Sequence, residues 1–379
     1  MGNSGSETKN FGLDVSAVER KLRALWETMA EADNERSEAV LRACVMNLIV
    51  YNDLDWPARR MYDTISEISR EHPSRIFLIL PREDGGSGID AEVTTQCHSL
   101  GAPRQHVCCE IIRILAPRNR LDRLPGGIRS LLVADLPVVV WWRAGLESSV
   151  ELLQELTGEA ERIIVNSKSC RARPEDVRRL IDFLQGNGPG PAVGDLNWSR
   201  LTHWRNAVAG LFDSPPWDDC LERIRKVRVR YAGGKQALAL QPLLLTGWLA
   251  SRLGWAPVPG LIEEAAGSFR LRATASDEEA ACEFSIEGDE ENDGLQSIEL
   301  QTGGPNPQLF RAERSDDGKY VHSLIVRDEA ERTPRLQLLF REGEAELLCR
   351  ELEILTHDAS YEEALQFAAR WLDARDGAE

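Results

Sequence analysis

The chain has 379 residues, which is enough for two domains of ordinary size, each with its own core. Its 42% hydrophobic and 28% charged residues are typical of soluble globular proteins. The net charge of −17 disfavours nucleic acid as a general partner, because a polyanion would be repelled at long range.

The N-terminal residues 1–10 are polar, and no apolar signal core follows them. No stretch reaches the roughly 18–20 uninterrupted apolar residues that a membrane span needs. We therefore expect a cytoplasmic protein that has no membrane partner.

Strand and helix patterns alternate over the first half of the chain. Residues 14–31 have helical spacing, and the continuous apolar run at 41–51 is typical of a strand buried on both faces. Beyond them we predict strands at 75–80, 89–97, 107–115, 137–142 and 162–165, and helices at 57–70, 124–134 and 150–156. The alternation predicts an α/β N-terminal domain, with a mixed, mostly parallel sheet and helices on both faces.

The second half begins with helices and becomes rich in strands. We predict helices at 174–184, 197–211, 216–224, 235–253 and 359–373, and strands at 227–231, 268–274, 281–287, 296–301, 308–313, 320–326 and 335–340. This order predicts an α+β C-terminal domain with an antiparallel sheet. The predicted organisation is an N-terminal tail and helix at 1–40, the α/β domain at 41–170, and a helical linker region with the α+β domain at 171–379.

The residue patterns of enzymes are missing. The glycine-rich loops at 84–88 and 186–190 match no phosphate-binding fingerprint, and no Gly-x-Ser-x-Gly turn occurs. The six histidines stand singly, and the eight cysteines form no CxxC pair. We predict no catalytic residue, no metal site and no cofactor. For the cysteines we expect buried, reduced thiols, with a redox pair brought together by the fold as the alternative.

A short polar segment joins a predicted helix to the strand at 75–80. It contains His72, Ser74 and Arg75. The segment lies at the amino end of its strand, whereas ligand sites of α/β sheets collect at the carboxyl ends. The position favours a structural cap, and contact with a phosphate or a partner is the alternative.

Tryptophan is concentrated in the middle of the chain, where seven of the ten lie between Trp141 and Trp255. Tryptophan is enriched at interface hot spots, although Trp198 and Trp204 lie in predicted helices, where core positions are commoner. Alternation along a strand sends Trp141 and Trp142 to opposite faces, so we expect this pair to lie partly outside the core.

A predicted strand at 227–231 carries basic side chains on one face. Arg228 and Arg230 point one way, and the apolar residues between them point the other way. Two interpretations remain open. One is a solvated edge strand whose charges block aggregation, and the other is a docking strip for an acidic partner surface.

Seven separate segments, in order, resemble the OpcA family of cyanobacteria and actinobacteria. They are Arg42 with Leu48–Val50, His72–Arg75, Cys109–Glu110, Asp135–Trp142, Arg162–Ser167, Asp195–Arg205 and Gly247–Trp255. The resemblance implies a non-enzymatic protein that promotes the assembly of glucose-6-phosphate dehydrogenase or activates it allosterically, at the NADPH-producing entry to the oxidative pentose phosphate pathway. The partner-binding residues we predict are Trp141, Trp142, Trp198, Trp204, Arg205, Arg228 and Arg230.

A second hypothesis comes from the α/β half. A sugar-phosphate or nucleotide-binding sensor or enzyme would use strand ends and helix N-termini to hold a phosphate. The missing glycine-rich fingerprint counts against this hypothesis.

Overall fold

The structure is a computed structural model that describes residues 12–36, 39–54, 58–83, 88–99, 105–169, 174–185, 190–213, 215, 217–232, 239–265, 268–274, 281–289, 294–327, 330–338, 343–354 and 356–373. These residues form two compact units. The first contains Met1–Val165, Asn187–Gly194 and Glu344–His357, and the second contains Asn166–Gly186, Asp195–Gly343 and Asp358–Glu379. Among the described helices, none is long and apolar enough to span a membrane.

The elements up to residue 195 are α1 (Val15–Arg36), β1 (Ala39–Arg42), β2 (Met46–Asn52), α2 (Ala58–Glu71), β3 (Ser74–Arg82), β4 (Asp90–Ser99), β5 (Gln105–Pro117), α3 (Leu124–Leu131), β6 (Val138–Arg143), α4 (Val150–Thr157), β7 (Arg162–Val165), α5 (Pro174–Gln185) and β8 (Ala192–Asp195).

The later elements are α6 (Leu196–Ser199), α7 (Thr202–Ala209), β9 (Ile224–Ala232), α8 (Leu240–Arg252), β10 (Ala256–Ala265), β11 (Ser268–Thr274), β12 (Ala281–Asp289), β13 (Gly294–Thr302), β14 (Leu309–Arg314), β15 (Tyr320–Arg327), β16 (Ala330–Leu338), α9 (Glu344–Glu353) and α10 (Ala359–Asp373).

The first sheet confirms the predicted mixed, mostly parallel arrangement. Six strands lie in the order β5-β3-β2-β6-β7-β8, while β1 pairs parallel with β5 and β4 pairs antiparallel with it. Numbered along the chain, the six strands have the order 3-2-1-4-5-6 of a doubly wound dinucleotide-binding fold. Every residue of β2 and β6 is buried, so both faces of the centre of the sheet are covered.

Three features of the first unit differ from the sequence prediction. The apolar run at 41–51 is not one strand, because residues 43–45 interrupt it between β1 and β2. The sequence prediction lacks strand β8, because its four residues include Gly194 and Asp195 and give no apolar strand pattern. The sequence prediction also lacks helix α9.

Helix α9 belongs to the first unit although it lies late in the chain, and two buried ion pairs fix it there. At the end of β6, Arg143 pairs with Glu344 at 3.1 Å, and at the start of β7, Arg162 pairs with Glu351. Both guanidinium side chains are 1% exposed. Such a pair is costly to break, because the remaining partner is left as an uncompensated buried charge.

The strands of the second sheet do not follow one another in chain order. Its order is β10-β11-β12-β9-β13-β14-β15-β16, so β9 lies between β12 and β13 and pairs parallel with β12. All the other described pairings of this sheet are antiparallel, as the fold class predicted. The expectation that residues 227–231 form an edge strand is wrong, because the chain enters this sheet at its centre.

The cysteines also differ from expectation. Cys97 and Cys108 lie directly opposite each other on β4 and β5 and form a disulfide. Cys44, Cys109, Cys220 and Cys349 form no disulfide among the described residues, and the last three of them are buried. The prediction of reduced thiols is therefore wrong for Cys97 and Cys108, which the antiparallel pairing of β4 and β5 places opposite each other.

The buried pair between Arg162 and Glu351 gives a first prediction. We expect Glu351→Ala to lower the free energy of unfolding by about 3–5 kcal/mol, because Arg162 stays buried without its carboxylate. Replacing both residues with Met and Leu should recover most of that loss. The exposed Glu346 of the same helix supplies the control, and Glu346→Ala should change stability by no more than about 0.5 kcal/mol. Equal urea midpoints for Glu351→Ala and the control would contradict this account.

Candidate functional site

Doubly wound sheets bind their ligands outside the carboxyl ends of the strands, at the point where the strand order reverses. In this sheet that point lies between β2 and β6. The chain leaves β2 through Asn52 and Asp53 and reaches α2 without any glycine. The turn therefore lacks the residues that let a backbone approach a pyrophosphate, although the sheet has the topology for one.

Among the described residues, side chains at the ends of β2 and β6 bind one another at this point. Arg143 donates to Asn52 Oδ1 and to Glu344, with Nε and Nη2 lying 3.4 and 3.1 Å from the two carboxylate oxygens. Burial lowers the pKa of Arg143, and Glu344 opposes that shift. The guanidinium is thus fully engaged by groups of the first unit.

A second network lies beside the first. Arg118 binds both oxygens of Asp53, at 2.8 and 2.5 Å, and the Ser148 hydroxyl donates to the same carboxylate at 2.8 Å. Burial raises the pKa of Asp53, but the hydrogen bonds from Arg118 and Ser148 outweigh it and lower the pKa overall. A carboxylate held ionised in the first turn after β2 disfavours a phosphate at that position.

The structure corrects the expected exposure of the tryptophan pair. Trp141 and Trp142 are 0% and 1% exposed, because both faces of β6 are covered. Trp142 stacks on Tyr51 with ring centroids 4.1 Å apart and donates to the carbonyl of Gly145 at 3.1 Å. Arg143 lies 4.9 Å from the ring centroid of Trp141. Contact of this pair with a partner stays a prediction, and the structure gives both indoles a place in the core.

The second unit contains a buried carboxylate with four donors. Oδ1 of Asp195 accepts from the backbone N–H groups of Ser167 and Asn197, each at 2.9 Å. Its Oδ2 accepts from the hydroxyls of Ser167 at 2.5 Å and Tyr361 at 3.1 Å. Desolvation raises the pKa of Asp195 despite these bonds. Two of the segments that resemble the OpcA family thus meet in one polar network, whose direct role is to fix the turn into α6.

Trp198, Trp204 and Arg205 lie close to this network. The two indoles are 2% and 4% exposed, and Trp198 donates to Asp358 at 2.7 Å. The guanidinium of Arg205 lies 3.6 Å from the ring centroid of Trp198. These contacts make all three residues part of the scaffold, and their predicted contact with a partner remains untested.

Arg228 and Arg230 are exposed on β9, at the centre of the second sheet. Arg228 lies opposite Glu299, and Arg230 lies opposite Glu287. Nε of Arg228 is 3.2 Å from Glu287. We call the solvent side of β9, β12 and β13 the open face. It contains a groove of about 270 Å³ and alternates in charge, so it is not a purely basic strip.

The segment at 72–75 is tied to its surroundings. The Ser74 hydroxyl donates to the carbonyl of His72 at 2.7 Å, and Arg75 donates to Glu110 and to the carbonyl of Leu131, each at 2.6 Å. These contacts favour the capping interpretation over phosphate binding, which stays a prediction.

The sequence does not predict one cluster of side chains that could bind a metal ion. A ring nitrogen of His72, a carboxylate oxygen of Glu71 and the sulfur of Cys349 lie within 4.8 Å of one another. No spacing in the sequence signals this cluster, because Cys349 is carried by α9, which was not predicted.

Two family models match the chain. One describes the N-terminal domain of the glucose-6-phosphate dehydrogenase subunit and matches residues 65–182. The other describes the C-terminal domain of the same kind of protein and matches residues 191–365. Both carry the family name OpcA, and together they match well over half of the chain.

Three curated cyanobacterial proteins are similar to this chain. Their names provisionally assign them to the OxPP cycle as OpcA. The Synechocystis sp. protein is 34% identical over 203 residues, covering 52% of this chain and 41% of its own length. The Nostoc punctiforme protein is 33% identical over 193 residues, covering 51% and 40%. The Synechococcus elongatus protein is 30% identical over 206 residues, covering 54% and 44%. The matches thus span less than half the length of these relatives.

The fold is similar to a solved structure of unrelated sequence. The transcriptional regulator Gal80p from Kluyveromyces lactis superposes with a TM-score of 0.50 at 10% identity, over 91% of this chain and 95% of that one. At this level of identity the similarity concerns the fold alone.

The filled crevice predicts that nucleotides do not bind the isolated protein. We expect no change in Tm with millimolar NADP⁺, NADPH, glucose 6-phosphate or 6-phosphogluconate, because Arg143 and Asp53 are engaged by the protein's own groups. Thermal-shift titration of each compound measures this. A saturable rise in Tm with any of them, in the absence of another protein, would support the sensor or enzyme hypothesis instead.

The Asp195 network gives a prediction with a pH dependence. Tyr361→Phe removes a bond to a buried carboxylate, and we expect a loss of about 1.5–3 kcal/mol near pH 7. Because the folded-state pKa of Asp195 is raised, its contribution to stability is full below the unfolded pKa and declines as pH rises through the folded pKa. The removed bond is strongest to the ionised form, so the loss should grow as pH rises through that range.

Denaturant unfolding of Tyr361→Phe at several pH values checks this, with Tyr62→Phe as the control. Tyr62 is exposed on α2, and its loss should be small and independent of pH. A loss for Tyr361→Phe that shrinks with rising pH would rule out the assigned network.

Proposed function

The chain belongs to the OpcA family, and from this premise we propose that it is a non-enzymatic assembly factor and allosteric activator of glucose-6-phosphate dehydrogenase in the oxidative pentose phosphate pathway. The descriptions of the two matching family models support the choice of partner. The proposed location is the cytoplasm, and the proposed benefit is a larger supply of NADPH.

The filled crevice is the observation that carries the non-enzymatic part of the proposal. The first unit has the strand order of a dinucleotide-binding sheet, yet Arg143, Asp53 and their partners occupy the place of the ligand. Function depends on the site and not on the fold, and the polar side chains at this site hydrogen-bond to one another. The same topology with an open, glycine-lined turn would have favoured a nucleotide-dependent enzyme.

The open face is the surface we propose for the dehydrogenase. Arg228 and Arg230 are exposed, and Glu287 and Glu299 on the two neighbouring strands are partly exposed, so charges of both signs alternate across this surface. Patterned charges select a partner and its orientation more than they add raw affinity. The buried tryptophans would then serve the interface by holding the scaffold, and Arg228 and Arg230 would make direct contacts.

Activation requires preferential binding. A protein that binds every state of an enzyme equally well cannot shift the enzyme's equilibrium, whatever its affinity. We therefore propose that the chain binds the assembled, active oligomer of the dehydrogenase more tightly than its smaller or less active forms. This preference would couple assembly and activation in a single binding event.

A titration of the purified dehydrogenase with the full chain tests the function. Light scattering coupled to size exclusion should show a complex, and kinetics should show a raised Vmax or a lower apparent KM for glucose 6-phosphate. An inactive serum protein at equal mass is the control for crowding. At saturating protein, unchanged oligomeric state, Vmax and KM would refute the proposal.

A charge reversal tests the surface separately from the function. Arg228→Glu places a carboxylate beside Glu287 and Glu299, so we expect affinity for the dehydrogenase to fall about 10-fold or more. Lys319→Glu makes the same change of charge in the exposed turn between β14 and β15 and should leave affinity unchanged. Equal affinities of the two variants, with activation intact, would move the interface elsewhere while leaving the function standing.

A further inference from the structure

Helices α2 and α9 pack against each other in the first unit and bring metal-binding side chains together. Glu67 and Glu71 lie one turn apart on α2, and Cys349 and Glu353 lie one turn apart on α9. His72 follows directly after α2. Ligand atoms of Glu71, His72 and Cys349 lie within 4.8 Å of one another, a spacing close to that of side chains that share one metal ion.

The charge around Cys349 favours a cation. Its thiol is hydrogen-bonded to the carboxylate of Glu71, and the carboxylates of Glu67 and Glu353 lie close enough to add negative potential. Arg350 lies near Glu353 and offsets part of this negative charge. The cluster also lies at the C-terminal end of α2, where the helix dipole adds negative potential.

His72 supplies a second, independent observation. Its Nε2 atom is buried and has no hydrogen-bond partner among the described residues. A buried polar atom without a partner costs free energy, and native proteins rarely leave one without a reason. A metal ion bound by the imidazole would remove this cost, since neutral histidine is among the commonest metal ligands.

We propose that Cys349, His72 and Glu71 bind one Zn²⁺ ion that joins α9 to α2. A thiolate, an imidazole and a carboxylate are the donors that zinc takes in proteins, whereas magnesium and calcium prefer oxygen alone. Binding replaces the thiol proton by the metal, so one proton is released to solvent for each ion bound. Glu71 is exposed while Cys349 is buried, so the ion enters from solvent and a water completes its coordination.

The role we infer for the ion is structural. Helix α9 is brought from the far end of the sequence to the first unit, where Arg143 and Arg162 hold it on the side of the sheet. The zinc would hold the same helix on the side of α2. Metal binding would therefore contribute directly to the stability of this unit.

Metal analysis of the full chain tests the proposal. After treatment with a chelator, the protein is titrated with Zn²⁺ against a chromophoric competitor, and bound metal is counted by mass spectrometry. We expect one tight site per chain and a rise in Tm on zinc addition. Cys349→Ser and His72→Gln should each weaken binding at least about 100-fold. Cys220→Ser removes a buried thiol of the second unit that is not in a disulfide, and this variant should bind zinc as the unmodified chain does.

A cobalt titration of the unmodified chain tests the proposal even if a variant fails to fold. Co²⁺ added to the unmodified chain at one equivalent should give thiolate-to-cobalt charge-transfer absorption and the visible bands of a tetrahedral site. Absence of these bands, absence of zinc at one equivalent, or equal zinc affinity in Cys349→Ser and Cys220→Ser would overturn the proposal. The outcome is independent of the dehydrogenase, so it leaves the proposed function to its own test.

Discussion

The first unit depends on two buried guanidinium groups that require carboxylates from a distant part of the chain. Arg143 and Arg162 lie on adjacent strands of the parallel sheet, and both are 1% exposed. Since an unpaired buried charge is strongly destabilising, helix α9 must dock to supply Glu344 and Glu351. This docking places Glu344 beside Arg143 at the end of β6 and Cys349 next to α2, so the same helix contributes to the crevice and to the inferred metal site.

The first sheet has the topology of a dinucleotide-binding sheet, but the side chains at its ligand position contact one another. The strand order alone would suggest a cofactor, but the turn after β2 has no glycine and the polar groups around it bind one another. The second unit has a different surface, an open face on the strands around β9 with exposed arginines and partly exposed glutamates. Such a surface suits the contact with another protein that we propose.

The sequence predicts those elements whose residue patterns are local. It does not predict features that depend on pairing between distant segments of the chain. Helix 359–373 and the strand at 268–274 agree with the structure, because periodicity and turn residues define them. Trp141 and Trp142 were expected partly outside the core, since alternation cannot show that both faces of a strand are covered. The disulfide of Cys97, the central place of β9 and the cluster at His72 each depend on a strand register or helix packing that no single segment encodes.

The central claim is that this chain works through contact with another protein and not through a ligand in its crevice. A cryo-electron microscopy structure of its complex with glucose-6-phosphate dehydrogenase tests this claim most directly. We predict the dehydrogenase against the open face around Arg228, with Arg143 still paired to Glu344 and the crevice closed. A complex in which the crevice opens, with Arg143 released and a nucleotide or sugar phosphate bound there, would contradict the account.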